Sequence, residues 1–219
     1  MIKVLYVFYY SVENVNKATE RLICSRASLI NQDCDTICFY PGDMGYTGVF
    51  NKPKFINYAV KNLIKDDWFI FSDIDLIYPQ DYIEKMKDYI SEKPVRVIPW
   101  NYNIYQENYT TNISKLMELQ HSPGGFAHGN GLIHRESFLK IHGLDEFYIG
   151  YAPEDDDLNK RLEVCGNQLI YNINIETCHL YHSPLNRIQH ERNMEYYEKR
   201  LQELNKDNII VNGEKWGEL

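Results

Sequence analysis

The chain has 219 residues, enough for one large α/β domain with a buried core, and nothing in that length requires a second domain. A net charge of −8 at neutral pH argues against nucleic acid as the main ligand. Tyrosine stands out at 18 residues, a supply of rings for stacking on sugars or bases as well as for ordinary packing.

The opening MIKVLYVFYY is apolar over too short a stretch, and too closely followed by the polar SVENVNK, to be a signal peptide or a membrane span. It predicts a first buried strand and hence a cytoplasmic protein. Ser11 then offers a cap to a helix whose inner stripe is Val15, Ala18, Leu22, Ser25 and Leu29. CDTICFY reads as a second strand, PGDMGYTGVF as a glycine-bearing loop, and KPKFINYAVKNLIK as a helix with Pro53 in its first turn. The strand WFIFSDID follows, then a helix from Gln80 to Ser91 and a strand VRVIPW. This alternation predicts an α/β fold with a mostly parallel central sheet and helices on both faces.

In residues 101–130, NYNIYQENYTTN is polar and aromatic, ISKLMELQ is a short helix, and HSPGGFAHGNG reads as a loop by its glycines and Pro123. Beyond it come a strand GLIH, a short helix ending at Gly143, a helix from Pro153 to Gly166, and a strand TCHLYHSP. The polar C-terminal stretch ends in a helix expected to pack through Met194, Tyr197, Leu201 and Leu204. The five cysteines are odd in number, lack paired metal-binding spacing and read as free thiols.

Three stretches carry chemistry. In WFIFSDIDLIYP, Asp73 and Asp75 share a face of a strand that Pro79 soon ends, at the edge where an open parallel sheet binds ligands. An unpaired buried carboxylate costs several kcal/mol, so these charges require water, donors or a cation. In APEDDDLNKRL, four consecutive acids open a helix; its N-terminus accounts for one or two of them. Their mutual repulsion predicts that at least one points into a site with a raised pKa suited to accepting a proton. In TCHLYHSP, His179 and His182 fall on opposite faces of a straight strand; a bend at Ser183-Pro184 would turn both toward one ion, although solvated or core histidines are the commoner fate of such a pair. With a carboxylate they make a mixed N/O set suited to Mn2+.

Taken in order, FNKPKFINYAV, WFIFSDIDLIYP, HRESFLKIHGLDEFYIGYAPEDDDLNKRL and CHLYHS resemble the β-1,4-galactosyltransferases. The resemblance extends more distantly to the polypeptide N-acetylgalactosaminyltransferases and bacterial capsule polymerases, all of the GT-A fold. It covers roughly residues 50–183, and the acidic run looks more like the inverting kind. It implies one GT-A domain over 1–219, with a nucleotide-binding half at 1–100, an acceptor and metal half at 101–184, and a lid and C-terminal helix at 185–219.

By that resemblance Asp75, His179 and His182 ligate Mn2+ or another divalent transition metal, Asp73 lies near the nucleoside, Asp155 is the general base, and Glu154 and Asp156 contact donor or acceptor sugar. Phe50 and Lys52 match the family's nucleotide-side FNR, with Lys for Arg, which loses the bidentate fork. The family's arginines after the first strand are absent from YYSVEN, where Tyr9 and Tyr10 are assigned to the uracil. Where vertebrate members read WGWGGEDDD this chain reads YIGYAPEDDD, so Tyr151 stands in for the indole between donor and acceptor and Ala152-Pro153 for a glycine pair. The segment Leu185 to Gln189 is expected to close over the donor.

The implied reaction moves a hexose or N-acetylhexosamine from a UDP-sugar to a hydroxyl of a saccharide acceptor in glycan, capsule or lipopolysaccharide-type biosynthesis. Expected partners are that donor and acceptor, with no nucleic acid and no membrane span; peripheral membrane association stays open. Two rivals use the same residues: a metal-dependent UDP-sugar hydrolase, and a module that binds sugar nucleotide without transferring it.

Overall fold

The computed structural model describes residues 1–8, 15–108, 110–182 and 189–219. Its strands are β1 (Ile2–Val7), β2 (Cys34–Phe39), β3 (Trp68–Ser72), β4 (Leu76–Ile77), β5 (Val95–Ile104), β6 (His121–Phe126), β7 (Gly131–His134) and β8 (Gln168–His179). The helices are α1 (Val15–Ser28), α2 (Lys52–Asn62), α3 (Tyr82–Lys87), α4 (Ile113–Met117), α5 (Arg135–Lys140), α6 (Glu154–Val164) and α7 (His190–Glu203). The sheet runs β2-β1-β3-β7-β5-β8-β4, with β6 added on β5. Strand β1 is parallel to β2 and β3, and β5 to β8, and these ladders hold most of the paired residues. The remaining pairs, including β7 on both sides, are antiparallel.

Alternation along the strands puts a buried cluster on each face of the sheet. Leu5, Phe69, Phe71 and Ile133 point to the face covered by α2, α5 and α6, with Phe55, Val60, Phe138, Leu158 and Leu162 opposite them. Val4, Tyr6, Ile70 and Leu132 point to the other face, where Leu22 and Leu29 at α1 and Tyr82, Ile83 and Met86 of α3 close it. Full burial of each such side chain is worth about 2 kcal/mol. The stripe expected on α1 is observed in Ala18, Leu22 and Ser25; Val15 is exposed. Asn51 caps α2, its side chain accepting from Lys54 N–H at 2.9 Å, and Pro53 sits in the first turn.

Three expectations are corrected. The stretch HSPGGFAHGNG is not all loop: its first six residues form β6, paired with a β5 that runs on through Ile104. Glycine and proline are tolerated there because β6 pairs on one side only and Gly125 adopts φ 90° next to a register shift at Asn101/Tyr102. Strand β3 ends at Ser72, so Asp73 and Asp75 lie in the turn before β4 and do not share a strand face. Helix α3 is shorter than 80–91.

The packing expected of the C-terminal helix holds in part: Leu204 packs on the first core cluster and Met194 and Tyr197 are half-buried. Asn193 is the buried residue, donating to the carbonyls of Ile149 (2.9 Å) and Tyr151 (3.0 Å). Tyr196 stacks on Phe147 and donates to Asp145, while Leu201 is exposed. All five cysteines are free, as expected. Among the described residues no helix is long and apolar enough to cross a membrane.

Candidate functional site

The turn between β3 and β4 sets two corners of one site. At the first, Lys52 reaches in from the start of α2 and places Nζ 2.9 Å from Asp73, 3.6 Å from Glu154 and 3.7 Å from Asp155. Burial alone would lower the Lys52 ammonium, but the carboxylates of Asp155, Asp73 and Glu154 outweigh it and hold it well above its ordinary value. Burial pushes Glu154 up to about 8, helped by Asp155 and opposed by Lys52. Asp155 is raised by burial and by Asp73, against the pull of Lys52 and Arg96. Glu154 Oε2 and Asp155 Oδ1 are buried and have no hydrogen-bond partner, an arrangement whose cost is recovered only when a ligand supplies a donor or a cation.

Gly129 makes this corner possible. A Cβ there would lie 2.6 Å from Asp155 Oδ2 and 3.2 Å from Asp73 Oδ2, so a side chain would displace the carboxylates. The preceding carbonyl, of His128, accepts from the guanidinium of Arg96 at 2.5 Å. Arg96 is fully buried on β5, also donates to Asn159 at 3.0 Å, and is lowered to about 10 by burial.

The acid run divides its labour. Helix α6 begins at Glu154 with Pro153 in the cap position and no side-chain cap bond, so Asp155 lies inside the first turn and does not cap the helix. Glu154 and Asp155 face Lys52, Asp156 pairs with His128 Nδ1, and Asp157 meets the buried Arg161 at 2.7 Å. Arg161 also donates to the carbonyls of Ile141 and Gly143, which ties α6 to the end of α5. Asp157 is thereby tied to a structural cation, while Glu154 and Asp155 are the acids of the run whose pKa rises, by burial first and by neighbouring carboxylates second.

At the second corner, β4 pairs antiparallel with the end of β8, setting Leu76 opposite His179, and the Leu180 N–H donates to the Asp75 carbonyl at 2.8 Å. The strand stops at His179, and the following residues bring His182 round to the same carboxylate. His179 Nε2 lies 3.6 Å from Asp75 Oδ1 and His182 Nε2 3.5 Å from Oδ2. One ligand atom from each of the three residues falls within 4.8 Å of the others. Asp75 is 8% exposed and its buried Oδ1 lacks a hydrogen-bond partner. Two imidazoles and an orphaned carboxylate oxygen fit a divalent transition metal.

The structure thus brings together Lys52, Asp73, Asp75, Glu154, Asp155, Asp156, His179 and His182. Phe50 is half-buried against the core, its ring tilted on Phe55 at 5.5 Å. Tyr151 is 44% exposed, its ring 5.1 Å from His190. Tyr9 and Tyr10, and the closing segment but for Gln189, lie outside the described residues. Sequence reasoning missed Arg96 and His128. A lone arginine between Val95 and Val97 in a strand signals a buried, partnered cation, whereas His128 in a glycine-rich stretch carries no such signal.

A family model described as the N-terminal domain of galactosyltransferase matches residues 107–193. Human β-1,4-galactosyltransferase 4 is 29% identical over 119 residues, 52% of this chain and 30% of that protein. The chain spans less than a third of the length of the curated relatives it matches. In structure it is similar to a mutant of Drosophila β-1,4-galactosyltransferase 7 in complex with manganese, UDP-Gal and xylobiose, with a TM-score of 0.55 at 16% identity over 97% of this chain and 83% of that one. GalNAc-T7 with UDP, GalNAc and Mn2+ gives a TM-score of 0.58 at 13% identity over 85% of this chain and 45% of that one. The fold is that of the GT-A glycosyltransferases, and the matched sequence contains the acid run and the histidine pair.

Proposed function

We propose that this chain is a metal-dependent inverting glycosyltransferase that moves a hexose or N-acetylhexosamine from a UDP-sugar to a hydroxyl of a saccharide acceptor. One observation carries the reading. A three-residue set fit for a divalent cation, Asp75, His179 and His182, stands one turn residue away from a buried carboxylate cluster with unpartnered oxygens. Similarity to β-1,4-galactosyltransferases and the GT-A fold support it. Mn2+ held by Asp75, His179 and His182 would supply Lewis acidity to the departing diphosphate.

The other residues act directly. Asp155, with Oδ1 buried and unpartnered, accepts the proton of an acceptor hydroxyl as it attacks the anomeric carbon from the face opposite the leaving group. Its raised pKa matches that task, because a carboxylate of ordinary acidity is a weaker base. Lys52 opposes the upward shift that burial imposes on Asp155 and holds Asp73 on the nucleotide side. Glu154 and Asp156 flank the base and offer carboxyl oxygens to sugar hydroxyls, and Tyr151 has an exposed side chain. Phe50, Tyr9 and Tyr10 are assigned to the nucleoside.

The test is a screen of UDP-sugars with Mn2+, following UDP release with and without saccharide acceptors and identifying the products. Acceptor-dependent glycoside of inverted configuration is the expected result. UDP release with free sugar as sole product makes the chain a hydrolase, and UDP binding without turnover makes it a binding module.

A further inference from the structure

Arg96 is fully buried, and its three nitrogens bond only to neutral groups: Nε donates to Asn159 Oδ1 at 3.0 Å, Nη1 to the Val97 carbonyl at 3.3 Å and Nη2 to the His128 carbonyl at 2.5 Å. The Phe71 ring lies 5.5 Å from the guanidinium carbon. Arg161, equally buried, has Asp157 at 2.7 Å, whereas among the described residues no carboxylate pairs with Arg96. Neutral partners satisfy the donors but not the charge, and burying an uncompensated cation costs several kcal/mol.

Asn159 stands where a carboxylate would serve the guanidinium better. Its Nδ2 is buried without a hydrogen-bond partner, so aspartate of the same shape would lose no bond there and would pair with Arg96. The fold thus leaves Arg96 without a counter-ion at close range, and its charge reaches the acid run. Burial raises the Asp155 carboxyl, Lys52 and Arg96 pull it back, and Asp73 and Asp156 add to the rise. Burial in turn lowers the Arg96 guanidinium, which Asp155 counters ahead of Tyr82 and Tyr171.

The same side chain fixes the turn that packs on Asp155. Its bond to the His128 carbonyl holds the peptide leading into Gly129, where a Cβ would lie 2.6 Å from Asp155 Oδ2. At the other end Gly131, at φ 112°, passes so close that a Cβ would lie 2.9 Å from Arg96 Nη1. Between them Asn130 Oδ1 accepts from the Gly131 N–H at 2.7 Å and from the Tyr82 hydroxyl at 3.1 Å.

We propose that Arg96 is a positioning residue for the proposed base: it fixes the turn from His128 to Gly131 against Asp155, and its charge, left without a counter-ion by Asn159, acts on that carboxylate alongside Lys52. The proposal rests on the glycosyltransferase reading for what Asp155 does, while the effect of Arg96 on Asp155 is measured without it.

Carboxyl 13C NMR of aspartate-labelled protein tests it, with Asp155 assigned through Asp155→Asn. Arg96→Gln keeps an amide donor and removes the charge, so the Asp155 titration midpoint should rise. Arg96→Lys keeps the charge and should hold the midpoint near wild type. A role confined to packing would not separate the two variants. Asn159→Asp supplies the counter-ion, and should raise both the melting temperature and the Asp155 midpoint. UDP affinity in Mn2+, by calorimetry, should stay within about twofold of wild type in all three.

An unmoved midpoint in Arg96→Gln, or equal shifts in Arg96→Gln and Arg96→Lys, would overturn the proposal. Should Arg96→Gln not fold, a lower melting temperature or an unmoved midpoint in Asn159→Asp overturns it. The acid limb of kcat/KM for UDP-galactose turnover in Mn2+ should follow the midpoint. A limb that stays in place while the midpoint moves would contradict Asp155 as the base, and with it the glycosyltransferase reading, and leave the effect of Arg96 on Asp155 standing.

Discussion

Asp73 and Asp75 lie two residues apart in one turn and meet opposite surroundings. Asp73 faces the Lys52 ammonium at 2.9 Å, a positive charge that the chain supplies itself. Asp75 faces two imidazoles at 3.6 and 3.5 Å and keeps a buried oxygen without a hydrogen bond; among the described residues no lysine or arginine pairs with it. An imidazole offers a lone pair but no fixed charge, so the second corner is built to take its positive charge from outside, whereas the first carries one of its own, set against the acids of Asp73, Glu154 and Asp155. On the proposed reaction, Lys52 balances charge around the base and the Asp75 corner serves the leaving-group end.

The largest effect expected from breaking this division is at the base. Asp155→Asn keeps shape but removes the proton acceptor, so transfer should fall about 10²-fold or more while UDP and Mn2+ binding stay near normal. Near-normal transfer at saturating donor would move the base to Glu154 or Asp156, since Asp155 has no capping duty to confuse the result.

Replacing the internal cation sharpens the contrast. Lys52→Met leaves three carboxylates without their ammonium and should cost about 2 kcal/mol of stability in a denaturant titration, the scale of a lost charged hydrogen bond. Lys52 lowers the pKa of Asp155, so its removal raises that pKa and moves the acid limb of kcat/KM to higher pH. Lys52→Arg should restore most of the profile. An unmoved acid limb in Lys52→Met would separate Lys52 from the base.

A smaller effect concerns Glu154. Its folded value of about 8 exceeds the ordinary 4.5, so folding favours the protonated carboxyl. That contribution is complete below about pH 4.5 and is lost as pH rises through about 8. Thermal melts across this window should show stability falling with pH, and Glu154→Gln, which stays neutral, should flatten the fall. An unchanged slope would place the titration elsewhere.

The parts of the site legible in the sequence are those where chemistry contradicts its surroundings: two aspartates after an apolar strand, four adjacent acids, two histidines before a serine-proline. Their partners were less legible because tertiary pairing selects them. Strand β6 read as loop because glycine and proline report backbone freedom and not the ladder that β5 provides. On α7 the apolar stripe omits Asn193 and Tyr196, which dock by hydrogen bonds that apolar spacing does not register. The separation of Asp73 from Asp75 was invisible too, since strand alternation was extended past Ser72 into a turn.

The most direct measurement of the contrast between the two corners is calorimetry of UDP binding in Mn2+ and in chelator, for the wild-type chain and for His182→Ala. UDP should bind at least about tenfold more tightly in Mn2+, and His182→Ala should abolish that gain. Equal UDP affinity in Mn2+ and in chelator would contradict the assignment of Asp75, His179 and His182 to an external cation.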